Sequence, residues 1–201
     1  MKIYEEIAKV NSNKIKKRIF VLNHFYGMPG LEDGLTRKSR YVNLLKLLGN
    51  FDEISFKKMQ SISNSLILYN QDWDKEFLEI LHIAKTHGWD TQYIDEKYGN
   101  CTLPQILEDF KINCNPDETH IILGGTNLSG CVMFNSNLSL FSWIKLNYNV
   151  TVELSLCSEY QHADVTQALK NNFAFSELYN FIKANNFWNK VDVGHDINKW
   201  R

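Results

Sequence analysis

The feature that most restricts this chain is an alternation of short β-rich apolar runs with longer stretches of helical spacing. Arg18-Ile19-Phe20-Val21-Leu22, Thr119-His120-Ile121-Ile122-Leu123 and Val150-Thr151-Val152-Glu153-Leu154 read as strands, and residues 65–69 and 89–94 as two more. Between them, Asp74 to His87 sets Phe77, Leu78, Leu81 and Ala84 near a 3.6-residue period, with Gly88 as the stop. Thr102 is placed as an N-cap, and Pro104 falls in the first turn, where a missing N–H costs little. Residues 131–146 read as a helix packed on a sheet, and residues 164–185 as a final amphipathic helix. Residues 1–17 read as an N-terminal extension and 186–201 as a C-terminal tail, while 33–64 carries the weakest pattern. With no repeat, low-complexity tract or linker, the expectation is one α/β domain over 1–201, with βα units around a mainly parallel sheet.

Composition then narrows the partners. Among 201 residues, 22 Lys+Arg stand against 23 Asp+Glu, a formal charge of -1. Phosphate binding draws on a cationic surplus, so nucleic acid is not the expected partner. An apolar share of 44% and an aromatic share of 13% are enough for a core. No apolar run is long enough to cross a bilayer, and the start, MKIYEEIAKVNSNKIKKR, has no secretory apolar core. A cytoplasmic protein without membrane contact is expected. Cys101, Cys114, Cys131 and Cys157 include no CxxC pair and no zinc spacing, so they read as thiols rather than a disulfide framework.

Ligands of open α/β sheets bind beyond the carboxyl ends of the strands. Three such ends are Asn23-His24-Phe25-Tyr26-Gly27, Asp95-Glu96-Lys97-Tyr98-Gly99-Asn100 and Gly124-Gly125-Thr126-Asn127-Leu128-Ser129-Gly130-Cys131-Val132. A cysteine in the first turn of a helix lies among unpaired N–H groups at the positive end of the macrodipole. Both favour a thiolate, and the same N–H groups can hold an oxyanion. Glycines ahead of it let the backbone turn tightly. The bland alternative for Cys131 is a packed thiol, the commoner fate of a cysteine.

The segment Gly125 to Val132, followed by Asn147-Tyr148-Asn149-Val150-Thr151-Val152, resembles the nucleophile region of the isochorismatase-like cysteine hydrolases. That family reads as a strand, Gly, six steps to Cys-Val, a helix, and a Gly-Tyr-x-Val strand. Arg18 to Tyr26 resembles its first strand, which ends in aspartate. Lys97, 34 residues before Cys131, resembles its catalytic lysine. The likeness spans roughly residues 18 to 170. It implies a three-layer α/β/α, Rossmann-like hydrolase, homo-oligomeric and without a cofactor. Its cysteine attacks a small-molecule carbonyl, its aspartate moves the proton, and its lysine supports both charges. It further implies a site wall from Asn127, Leu128, Gly130, Phe25 and Tyr98, with a cis peptide near Asn127–Leu128.

One position departs from the pattern. Asn23 stands where the family has aspartate, and an amide cannot take up a thiol proton. Three readings stay open: Cys131 acts on a better leaving group, His24, Asp95 or Glu96 serves as base, or the site binds without turnover. An aspartate exchanged for asparagine to trap a complex would leave the same residue. Asn23 can also simply close a turn, and Lys97 can be a solvated surface lysine. The nicotinamidase-type relatives carry an Asp-x-His…His metal cluster. Here no histidine lies between Phe25 and Leu81, so no metal site is expected. A flavodoxin-like nucleotide binder has no support, because no strand leads into a phosphate-binding glycine motif. The expected function is cleavage of a C–N bond by Cys131; the alternative is an inactive binding or assembly module.

Overall fold

A computed structural model describes residues 15–23, 37–47, 66–70, 75–86, 88–126, 128–134, 136–157, 173–187 and 190–194. The apolar runs form strands β1 (Lys17–Asn23), β2 (Leu66–Asn70), β3 (Asp90–Tyr93), β4 (Thr119–Gly125) and β5 (Asn149–Cys157). A sixth, β6 (Val191–Gly194), lies in the segment expected to be a tail and corrects that expectation. It adds to the edge of β5, in register from Val150↔Val191 to Glu153↔Gly194. The described helices are α1 (Arg37–Leu47), α2 (Lys75–Thr86), α3 (Leu103–Asp109), α4 (Leu140–Lys145) and α5 (Phe173–Asn185).

Alternate residues of each strand face opposite sides of the sheet, and both sides are covered. Ile19, Val21, Ile121, Leu123, Val150 and Val152 pack with Leu103 and Ile106 of α3, Trp143 of α4, and Leu178 and Ile182 of α5. On the other face Phe20, Leu22, Ile67 and Ile122 meet Tyr41 and Leu44 of α1 and Phe77, Ile80 and Leu81 of α2. The result is the expected three-layer α/β/α sandwich, each such side chain contributing about 1.5–3 kcal/mol of transfer free energy.

Local chemistry sets the element ends. After α2, the N–H of Gly88 donates to the Lys85 carbonyl and that of Trp89 to the Ala84 carbonyl, both at 3.0 Å. This paired closure needs a left-handed residue, and Gly88 supplies it at φ 83°. At α3 the Gln105 side chain accepts from the Thr102 backbone N–H at 2.7 Å, half of a capping box. Before β5, Asn147 holds φ 68°, a conformation that glycine and asparagine tolerate best.

The helix expected over 131–146 is not continuous. Residues Leu128–Val132 form one π turn, closed by the Met133 N–H donating to the Leu128 carbonyl at 3.2 Å, and α4 begins only at Leu140. The break falls at Ser136-Asn137, whose side chains bond backbone and amide groups instead of prolonging a helix.

All strand pairs are parallel, in the order β3-β2-β1-β4-β5-β6. The chain builds outward to one side from β1 and then to the other from β4. The order therefore reverses between these two strands, where their diverging connections leave room for a ligand at the carboxyl edge.

Candidate functional site

At that reversal, Asn23 ends β1 directly opposite Gly125, which ends β4. A Cβ on Gly125 would lie 2.2 Å from the Asn23 carbonyl oxygen and 2.8 Å from Cγ2 of Val132. Only glycine permits that approach, which brings the π turn carrying Cys131 down onto the end of β1. The Thr126 N–H donates to the same Asn23 carbonyl at 3.2 Å. Cys131 itself is half-buried, and none of the four cysteines forms a disulfide. The turn is a single winding, so it does not supply the macrodipole of the longer helix expected from the sequence.

Asn23 is fully buried and both ends of its amide are engaged. Its Nδ2 donates to the Leu138 carbonyl at 3.1 Å, while its Oδ1 accepts from the Ser136 hydroxyl at 3.0 Å. A carbonyl can only accept, which fixes the amide's orientation. Ser136 also accepts from the Leu138 N–H at 3.1 Å and from Nδ2 of Asn70, the residue ending β2, at 3.4 Å. Two adjacent strand ends and the loop before α4 therefore share one hydroxyl.

Lys97 lies in a 3-10 turn, Glu96–Asn100, just beyond β3. Its N–H is capped by Oδ1 of Asp95 at 2.9 Å, and its ammonium stands 5.3 Å from the centre of the Tyr98 ring. The Lys97 side chain is exposed. Nδ2 of Asn137 donates to the carbonyls of both Tyr98 and Gly99, at 2.7 and 2.9 Å. The turn bearing Lys97 is thus fastened to the loop that also holds Asn23. Sequence reasoning missed Ser136 and Asn137; the polar run Asn135-Ser136-Asn137 inside an apolar stretch was the available signal.

Leu128 is 1% exposed, and its side chain packs in the core with Val132 and Met133. Tyr98 is half-buried, its ring 4.9 Å from that of Phe110. Gly130 is buried, and its carbonyl accepts from the Phe134 N–H at 2.8 Å. Phe25, Asn127 and His24 lie outside the described residues, as does the side chain of Glu96. No cis peptide bond occurs among the described residues, and no group of three or more His, Cys, Asp or Glu side chains there is placed to hold a metal ion. No helix among them is long and apolar enough to cross a membrane.

No family model and no curated protein matches this chain. Among solved structures, the chain is similar to the crystal structure of the nicotinamidase from Staphylococcus aureus, with 14% sequence identity, 89% of this chain and 99% of that chain covered, and a TM-score of 0.49.

Proposed function

We propose that this protein is a cysteine hydrolase of the isochorismatase-like kind, acting on a C–N bond of a small molecule through Cys131. The observation that supports this reading is that the end of β1 is linked both to the segment leading into Cys131, opposite Gly125, and through the Ser136–Asn137 loop to the turn with Lys97. Asn147 in a left-handed conformation keeps the geometry of the glycine it replaces, which supports the resemblance beyond the cysteine motif.

In this reading the Cys131 thiol gives its proton to Asp95, its thiolate attacks the carbonyl carbon, and the C–N bond breaks as the nitrogen takes that proton back from Asp95. Water then hydrolyses the thioester and regenerates the thiol. The Lys97 ammonium favours the thiolate. Asn23 is not the proton carrier, because its Nδ2 already donates to the Leu138 carbonyl and its Oδ1 already accepts from Ser136. Asp95 caps the Lys97 turn through one oxygen, which leaves its second oxygen as a proton acceptor.

The assay is hydrolysis of a panel of small primary amides and activated aryl esters by the wild-type protein and Cys131→Ala. Turnover that Cys131→Ala abolishes supports the hydrolase, and turnover that survives it contradicts the assignment. A second reading, an inactive member that binds or assembles, is favoured by the fully engaged amide of Asn23. It expects no turnover across the panel, together with saturable binding that Cys131→Ala leaves in place.

A further inference from the structure

We infer that Asn137 is a positioning residue, which holds the Lys97 turn at a fixed place relative to Cys131. The inference rests on the hydrolase reading above and goes beyond it, because Asn137 touches neither reacting atom. Its amide nitrogen spends both hydrogens on two consecutive carbonyls, Tyr98 at 2.7 Å and Gly99 at 2.9 Å. Those carbonyls belong to the 3-10 turn Glu96–Asn100, which lies beyond a strand of only four residues, Asp90–Tyr93. The turn's own closures are short-range: the Tyr98 N–H to the Asp95 carbonyl at 3.0 Å and the Cys101 N–H to the Tyr98 carbonyl at 2.9 Å. They shape the turn without fixing where it stands.

The neighbouring residues extend the device. Ser136 donates to Asn23 and accepts from Asn70, while the Leu138 carbonyl accepts from Asn23 and from Nε1 of Trp143 at 3.1 Å. Three consecutive residues, Ser136, Asn137 and Leu138, thus reach β1, β2, the turn after β3 and α4. The loop is itself anchored, since Trp143 is fully buried. An exposed lysine has wide rotamer freedom, and a charge acts on a thiol in proportion to inverse distance. Fixing the backbone of residues 97–99 narrows the volume the ammonium explores, so the electrostatic help given to Cys131 depends on Asn137.

The test uses the full chain and iodoacetamide as probe, with the rate of alkylation of each cysteine measured against pH by peptide mass spectrometry. Wild type, Lys97→Gln, Asn137→Ala and the double variant are compared, with Cys114 as the internal reference. Lys97→Gln is expected to slow Cys131 labelling near neutral pH ~3-fold and to move its pH midpoint upward, as loss of one screened charge would do. Asn137→Ala is expected to move the midpoint in the same direction by a smaller amount, with Cys114 unchanged. The double variant should match Lys97→Gln, the signature of two residues acting through one path. A midpoint for Asn137→Ala identical to wild type, while Lys97→Gln shifts it, overturns the inference and leaves the hydrolase reading standing. No shift from Lys97→Gln itself removes the electrostatic role of Lys97, and the inference with it. If Asn137→Ala does not fold, amide hydrogen exchange of the wild type decides: residues 96–100 and 136–138 opening together supports the clamp, and independent opening refutes it.

Discussion

The two ends of the parallel sheet are fastened by different chemistry. At the amino end the fastenings are charged or titratable. Lys16 pairs with Glu118, Lys17 donates to the Asn113 carbonyl at 3.0 Å, His120 meets the Thr151 hydroxyl at 2.9 Å, and the Cys114 thiol and Tyr148 phenol lie 2.9 Å apart. Burial, followed by the charge of Arg18, pushes His120 down to about 3, and burial together with Cys114 raises the Tyr148 phenol. At the carboxyl end, the links between segments run through the neutral side chains of Asn23, Asn70, Ser136 and Asn137. The difference teaches that the side-chain links from the Ser136–Leu138 loop to the ends of β1 and β2 and to the turn after β3 run through groups that do not titrate. A change of pH can then alter the charge of the thiol without breaking those links, while His120 and Tyr148 make the amino end pH-sensitive.

The strongest way to break this contrast is to put a charge into the neutral end. Asn23→Asp places a buried carboxylate against the Leu138 carbonyl, where the amide now donates. Its native-state pKa would be raised above the unfolded value, so the variant is least penalised below that unfolded value and loses stability as pH rises through the folded one. Urea unfolding should show a cost of about 3–5 kcal/mol at pH 8 that shrinks at pH 5. Equal stability loss at both pH values would show that the carboxylate finds a donor there. For the same reason, the substitution alone is not expected to create a working base.

A steric insult to the same end comes next. Gly125→Ala drives a Cβ to 2.2 Å from the Asn23 carbonyl oxygen, and the strands must part to relieve it. Thermal unfolding should register a loss of about 1–3 kcal/mol, and an unchanged melting temperature would contradict the tight approach. The opposite end is probed through His120. Its folded pKa lies below the unfolded one, so the folded protein binds fewer protons and stability falls as pH drops from about 6.5 toward about 3. In denaturant titrations His120→Gln should flatten that fall by on the order of 1–2 kcal/mol; an unchanged slope would move the pH sensitivity elsewhere. The smallest effect is expected from Ser136→Ala, which removes one donor to Asn23 and costs about 1 kcal/mol in either buffer. A cost that varied with pH would undo the claim that the loop links to Asn23 are neutral.

How much of this was legible in the sequence depends on how local the signal was. β1, β4 and β5 each carry an apolar run, and the sequence places them to within three residues at either end. Gly88 and Thr102 announce helix ends through conformations and bonds formed within a few residues. β6 escaped because its four residues, Val191-Asp192-Val193-Gly194, form a strand by adding to the edge of β5. The break after Cys131 escaped for a related reason. Ser136 and Asn137 find their partners in β1, β2 and the turn after β3, as many as 113 residues away along the chain. At the candidate site, sequence pattern brought Asn23, Lys97 and Cys131 forward through a resemblance. It could not show that the Asn23 amide is already engaged, since that depends on which groups the fold sets opposite it.

The most direct test of the account is the alkylation rate of the four cysteines of the intact protein by iodoacetamide near neutral pH. Cys101, Cys114 and Cys131 are all half-buried, so exposure alone would make them comparable. The account predicts that Cys131 reacts at least ~10-fold faster than either of the other two, as an activated thiolate would. Equal rates, or Cys101 or Cys114 reacting first, would contradict it.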